Sequence, residues 1–188
     1  NYSLLSFSEI VETSNSTVGQ LRFATYDGSS SQEAFGGSIP TSVLGFAYYP
    51  STSGTDHYTS GDIFYNGIST DEVNTASNYT TYSAFNSIIM HEIGHALGLK
   101  HPFDQNNGYP DNDDGTSLPD SIMAYAYYDG ASHSGVDFRY SHPTTPMVTD
   151  IAALHYLYGA NNQYNTGDTT YTLSSFSSNF NFIYASIW

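Results

Sequence analysis

The sequence predicts an α+β fold, in which a twisted sheet forms early in the chain and two helices follow it. Residues 2–66 contain short runs of β-branched and aromatic side chains bounded by Ser, Asn and Gly, which is typical of strands. From residue 82 onward the apolar side chains recur at three- and four-residue steps, which is typical of helices. At 188 residues the chain has the length of one domain, and we expect residues 1–188 to form a single one.

Four strands are predicted in the first part of the chain. Residues 2–12 and 20–27 are rich in strand-forming side chains and end at polar or glycine positions. A third strand, residues 43–49, stops before Pro50, because proline cannot donate to a strand ladder. A fourth, residues 62–66, lies between two glycines.

Two helices are predicted after the strands. The first covers residues 82–99, with Gly98 as its end signal. The second has Thr145 as N-cap, Pro146 in its first turn and Gly159 just past its end. Their apolar positions are Phe85, Ile88, Ile89, Ala96 and Leu97 in the first helix, and Met147, Ile151, Leu154 and Tyr158 in the second.

The composition excludes several classes of partner. Three basic residues against 18 acidic ones give a formal net charge of −15, so we expect no nucleic acid and no anionic membrane surface as partner. No run of 18 apolar residues occurs, which predicts that nothing spans a membrane. Because the chain has no cysteine, a metal must be held by His, carboxylate or Tyr. The acidic, lysine-poor composition suits a protein that stays soluble outside a cell.

The string HEIGHALGLKH, residues 91–101, predicts a zinc site on the first helix. His91 and His95 are four residues apart, which brings their side chains to about 5–6 Å at Cβ on one helix face. Glu92 lies beside them as a candidate general base, and Gly98 allows the chain to turn and bring His101 back as a third ligand. The alternative is that these are ordinary helix histidines, which the spacing disfavours.

A second motif follows an acidic loop, at residues 121–125 (SIMAY). Alone, Met123 would be a core methionine and Tyr125 one more tyrosine in a Tyr-rich chain. Together with the histidine string, the pair resembles the zinc motif and Met-turn of the metzincin peptidases. The residues of both motifs most resemble the serralysin branch, and so do residues 146–161 (PMVTDIAALHYLYGAN).

This resemblance implies a fold and a set of site residues. The fold is the metzincin catalytic domain: a mixed, mostly parallel sheet with an antiparallel edge strand, an active-site helix and a C-terminal helix. By similarity His91, His95 and His101 are the zinc ligands, and Glu92 is the general base. Met123 lies under the metal, and Tyr125 is a fifth ligand that swings away to donate to the oxyanion.

The resemblance also implies where a substrate binds. The family's antiparallel edge strand pairs with an extended peptide, which assigns substrate contacts to Phe46, Ala47 and Tyr48 in the predicted third strand. His133 and His142 follow the Met-turn, where the family builds the wall of its S1′ pocket. A surface or structural role is the more common one for such isolated histidines.

Two features depart from the family pattern. The strand and long helix that normally come first have no counterpart before residues 2–12, which predicts a fragment, a processed chain or a reduced fold. Residues 160–188 resemble the junction to a calcium-binding β-roll, but no such repeat follows. A β-roll, a propeptide or an inhibitor are therefore expected partners outside this sequence.

An acidic cluster at Asp111, Asp113 and Asp114 is a candidate calcium site, because hard cations prefer carboxylate oxygens. Its spacing does not fit an EF-hand, and a solvated acidic loop is the favoured alternative.

We therefore expect a secreted zinc endopeptidase that takes protein or peptide substrates, with one catalytic zinc ion. Two alternatives stay open: a non-catalytic module with a structural zinc, and a latent enzyme whose zinc is covered by a segment of a precursor. An intact Glu92 argues against the first, because a structural zinc site needs no base.

Overall fold

The computed structural model describes residues 3–11, 19–26, 39, 43–51, 59–66, 84–104, 116–127, 142–164 and 166–170. The chain divides into two compact units, one of Asn1–Phe7 with His101–Trp188 and the other of Ser8–Lys100. The single domain expected for residues 1–188 stays a prediction. None of the described helices is both long and apolar enough to cross a lipid bilayer.

The second of these units contains a three-stranded mixed sheet. Its strands are β1 (Arg22–Tyr26), β2 (Gly45–Ala47) and β3 (Asp62–Asn66), in the order β1-β3-β2. β1 runs parallel to β3, whereas β2 runs antiparallel to it. Three of the four predicted strands are confirmed, β3 with its predicted bounds, and β2 is an antiparallel edge strand of the described sheet.

An ion pair joins the two parallel strands at their start. Arg22 and Asp62 are register partners, with Nε to Oδ1 at 2.7 Å and Nη2 to Oδ2 at 2.6 Å. The planar guanidinium matches both carboxylate oxygens, so the pair specifies register as well as adding attraction.

The helix α1 (Ala84–Ala96) packs on one face of this sheet. Ile63, Tyr65 and Ala96 form the buried cluster, and partly buried apolar side chains surround it: Leu21, Ala47, Ile88, Ile89 and Ile93. The helix ends at Ala96, three residues before the predicted end at residue 99, and the predicted end signal Gly98 follows it with a φ of 93°, a conformation that glycine adopts without strain. The Gly98 and Leu99 N–H groups donate back to the carbonyls of His95 and Gly94.

The first unit contains the helix α2 (Val148–Tyr158). It begins after Met147 and not after Thr145, so the predicted N-cap is wrong. The Asp150 carboxylate accepts a hydrogen bond from the Met147 N–H at 2.8 Å, which satisfies a backbone donor at the helix start. Ile151 and Leu154 are buried, and Gly159 ends the helix as predicted, with its N–H donating to His155.

The strand predicted over residues 2–12 is wrong for the part that is described. Ser3 makes an isolated antiparallel bridge with Ala160, and the Leu4 N–H donates to the Gly159 carbonyl at 3.1 Å, but residues 5–11 form no strand. The apolar side chains that suggested it are exposed to solvent: Leu4, Phe7, Ile10 and Val11. Strand propensity acts mainly through packing against neighbouring strands, and no described strand lies beside these residues.

Candidate metal centre

The helix α1 carries two of the predicted zinc ligands and the predicted base. His91 and His95 are both buried, and their ring centroids are 4.7 Å apart with the ring planes nearly perpendicular. This is the proximity that a four-residue helical spacing dictates. The exposed Tyr49 ring packs edge-on against His95, with centroids 5.4 Å apart.

Three histidines of the stretch from residue 91 to residue 101 offer their ligand atoms at close range. One nitrogen each from His91, His95 and His101 lies within 4.8 Å of the other two. Three imidazoles with no thiolate are a donor set that zinc accepts, and three protein ligands are the number found in catalytic zinc sites. These residues therefore fit a zinc ion.

Two of these rings have an acceptor close to Nδ1, which supports the fit because Nε2 is then left for the metal. The Nδ1 of His95 lies 2.8 Å from the Leu99 carbonyl oxygen, and the Nδ1 of His101 lies 3.3 Å from an Asp104 carboxylate oxygen. Because a carbonyl only accepts, Nδ1 of His95 carries the proton and Nε2 keeps its lone pair for a metal. Burial lowers the pKa of His101, which favours the neutral imidazole that binds metals, and Asp104 opposes that shift.

Glu92 is buried beside these ligands, and one of its oxygens is unsatisfied. Oε2 has no hydrogen-bond partner among the described residues, although carboxylates are among the costliest groups to bury unpaired. Burial raises the pKa of Glu92 to about 8. A cation held by the neighbouring histidines would favour its ionised form again, so the isolated carboxylate also fits a metal centre.

The predicted Met-turn, residues 121–125, lies in the unit of Asn1–Phe7 with His101–Trp188. Met123 is among its most deeply buried side chains, and its N–H donates to the Ser121 hydroxyl at 3.0 Å. Tyr125 is half-buried, and its ring lies against those of His101 and Phe103 at centroid distances of 4.9 and 5.0 Å. The His101 ring stacks on Phe103 as well.

The carboxylate of Asp150 holds this turn to the start of α2. It accepts from the Ser121 hydroxyl at 2.6 Å and from the Ile122 N–H at 2.8 Å, in addition to the Met147 N–H described above. The neighbouring Thr149 donates to the Asp120 carbonyl through its N–H and its hydroxyl. Burial raises the pKa of Asp150, and the donors around it counteract that rise.

Asp150 is not among the site residues that the sequence predicts. The available signal was an acidic side chain in the first turn of a helix with several apolar neighbours, where a carboxylate serves the helix N-terminus. Its bonds to residues 121 and 122 are long-range, and no local pattern indicates them.

The edge strand β2 offers unpaired backbone groups on its outer side. Leu44 and Tyr48 bond to β3 through Leu44 O and Tyr48 N. Because residues of an antiparallel strand alternate, the N–H and C=O groups of Gly45 and Ala47 point the other way, where no described strand pairs with them. Phe46 and Tyr48 contribute their rings to an aromatic cluster with Phe64.

Of the remaining predicted site residues, the structure describes only His142. His142 is buried with its ring against Tyr127, at a centroid distance of 5.8 Å. His133 and the acidic cluster of Asp111, Asp113 and Asp114 lie outside the described residues. Their substrate and calcium roles stay predictions.

Comparison with known proteins gives two family matches and a set of relatives. The model of the matrixin peptidases matches residues 1–109, and a Met-zincin model matches residues 76–180. Serralysin B of Dickeya chrysanthemi is 31% identical over 175 residues, which cover 91% of this chain and 33% of that protein. A serralysin of Photorhabdus laumondii is 30% identical over 170 residues, covering 88% and 32%. Metallopeptidase AprA of Pseudomonas marginalis is 35% identical over 140 residues, covering 69% and 28%.

The chain thus spans about a third or less of the length of these curated relatives. The matrixin match covers more than half of the chain and includes the histidine-bearing helix. The Met-zincin match includes the same helix, the methionine turn and α2. With its three clustered histidines and its buried glutamate, the chain belongs to the matrixin family of Met-zincin peptidases.

Proposed function

We propose that this protein is a zinc-dependent endopeptidase that hydrolyses peptide bonds of extracellular proteins. The observation that carries the proposal is the close grouping of the His91, His95 and His101 ligand atoms, with a buried carboxylate one residue along the helix. A structural zinc site needs a fourth protein ligand and no base, whereas a catalytic site leaves a position for water or substrate.

The three histidines would hold the zinc ion. When bound, zinc supplies Lewis-acid polarisation of the scissile carbonyl and makes water acidic enough to lose a proton near neutral pH. His95 and His101 are oriented for this by their Nδ1 contacts to Leu99 and Asp104, because such contacts fix the ring that presents its other nitrogen.

Glu92 would act as the general base and then as the general acid. Its carboxylate takes a proton from the attacking water and later passes it to the leaving amine nitrogen. Burial makes the carboxylate a stronger base, because desolvation disfavours its charged form and so raises its pKa.

Tyr125 would stabilise the developing oxyanion through its phenol hydroxyl, and in the resting enzyme the same hydroxyl would help to hold the metal. Met123 would support the metal centre as part of the same turn. Asp150 supports both by holding residues 121 and 122 through buried hydrogen bonds.

An extended substrate would pair with the outer edge of β2. The backbone N–H and C=O groups of Gly45 and Ala47 offer the pattern that an added antiparallel strand needs. Secretion belongs to the same proposal, as do a calcium-binding β-roll, a propeptide or an inhibitor carried by a longer precursor or another chain.

Removing zinc is expected to abolish proteolysis reversibly. The purified protein should contain about one equivalent of zinc by mass spectrometry, and cleavage of quenched casein should stop with 1,10-phenanthroline. Readdition of zinc should restore it, whereas the non-chelating isomer 1,7-phenanthroline should have no effect. Cleavage that survives full removal of zinc would contradict the proposal, as would a zinc-loaded protein that cleaves neither casein nor gelatin.

Replacing Tyr125 with phenylalanine is expected to lower kcat about 100-fold with little change in KM, because an oxyanion donor acts only in the transition state. Steady-state kinetics on a quenched peptide checks this. Tyr156→Phe is the matched control, since Tyr156 is 90% exposed and the same hydroxyl is removed. An unchanged kcat in Tyr125→Phe would remove Tyr125 from the mechanism.

A further inference from the structure

Gly45 of the edge strand lies directly against the side chain of Glu92. A Cβ atom added at this position would be 3.1 Å from Glu92 Cγ and 3.2 Å from Glu92 Oε1. Both distances are shorter than ordinary van der Waals contacts, so the bare backbone of β2 leaves the space in which the carboxylate sits.

The third neighbour of that space cannot easily move. The Phe64 carbonyl oxygen would lie 3.2 Å from the added Cβ, and Phe64 pairs with Phe46 in the sheet. The clash of a methyl group at residue 45 would therefore be relieved by displacing the Glu92 side chain. Glu92 Oε2 has no hydrogen bond to a described residue that would hold the side chain in place.

The backbone conformation of residue 45 does not itself require glycine. The described glycines with positive φ are Gly61, Gly98 and Gly159, whereas Gly45 has a strand conformation that alanine also adopts. The reason for glycine here is thus the space beside Glu92.

We infer that Gly45 is a positioning residue for catalysis, which sets the place of the general base through the absence of a side chain. This inference rests on the proposed function, because it assigns to Glu92 the role of base. It also means that one residue serves two partners. Its backbone N–H and C=O face the open edge where substrate would pair, and the base lies beside the position that its Cβ would occupy.

The test compares Gly45→Ala with Gly167→Ala, a matched control because nothing lies within 4 Å of a Cβ at residue 167. Gly45→Ala is expected to keep one equivalent of zinc and to lower kcat about 10- to 100-fold, since small misplacements of a catalytic group have effects of this size. KM should change little, because the backbone groups that pair with substrate are retained. Gly167→Ala should match the unsubstituted protein.

A double-mutant cycle with Glu92→Ala separates positioning from a structural effect. Truncating Glu92 removes two of the three close contacts, so Gly45→Ala should lower Tm clearly in the unsubstituted protein and much less in the Glu92→Ala background. The same comparison applies if Gly45→Ala alone does not fold, because the double variant is then expected to fold and bind zinc.

Equal Tm losses in both backgrounds would overturn the inference, and so would a Gly45→Ala protein with the kcat of Gly167→Ala. In these cases a low activity of Glu92→Ala would still support the proposed function. Full activity of Glu92→Ala would instead refute the base assignment itself, so the two failures are distinguishable.

Discussion

Replacing Glu92 with glutamine is expected to lower kcat at least about 100-fold while zinc content and fold are retained, since general-base catalysis contributes that much or more. Glutamine has nearly the same shape but cannot accept and return a proton. Because burial already raises the pKa of Glu92, a neutral amide is no harder to bury than the carboxylate, and the helix should keep its packing.

Three measurements check this result: kcat and KM on a quenched peptide, zinc by mass spectrometry, and Tm. Glu9→Gln is the matched control, because Glu9 is exposed and undergoes the same chemical change. The loss should appear in kcat and not in KM. A Glu92→Gln enzyme within twofold of the unsubstituted kcat would show that another group takes the proton.

Replacing Asp150 with alanine is expected to destabilise the protein by about 4 kcal/mol, because it leaves several buried donors without an acceptor at about 1–3 kcal/mol each. The donors are the Ser121 hydroxyl and the N–H groups of Ile122 and Met147. For a chain of this length the change corresponds to a Tm lower by roughly 10 °C.

Two further variants give this prediction a graded control. Asp150→Asn should cost less, because its amide oxygen can still accept from the two N–H groups. Asp168→Ala should leave Tm unchanged, since Asp168 is exposed. If Asp150→Ala melted within 2 °C of Asp168→Ala, the buried hydrogen bonds would contribute no net stability.

Much of the scaffold around the histidines follows from local sequence patterns. The bounds of β3 follow from flanking glycines, and the end of α1 follows from the requirement for a left-handed residue at Gly98. The histidine spacing predicts one helix face, and the rings of His91 and His95 are found together there.

Features that depend on distant partners were not predictable in this way. Residues 5–11 have strand-forming side chains but no described strand beside them, so the strand predicted there from the local pattern is wrong. Local preference predicts Thr145 as the N-cap, whereas the structure has Met147 there. The Asp150 carboxylate accepts hydrogen bonds from the Met147 N–H and from the distant residues 121 and 122. The contact between Gly45 and Glu92 depends on how β2 packs on α1, which no spacing in either segment specifies.

Under the proposed function, the hydrogen bonds of Asp150 affect how fast one copy of the protein is cleaved by another. The bond to Ser121 closes a loop of 29 residues, which costs about 3 kcal/mol of chain entropy that must be recovered when the turn and the helix start become ordered. Turn and helix start should therefore open and close as one cooperative unit and not fray separately. Proteases cut chains that open locally, so these buried bonds would slow autolysis at residues 121–125 by keeping the open form rare.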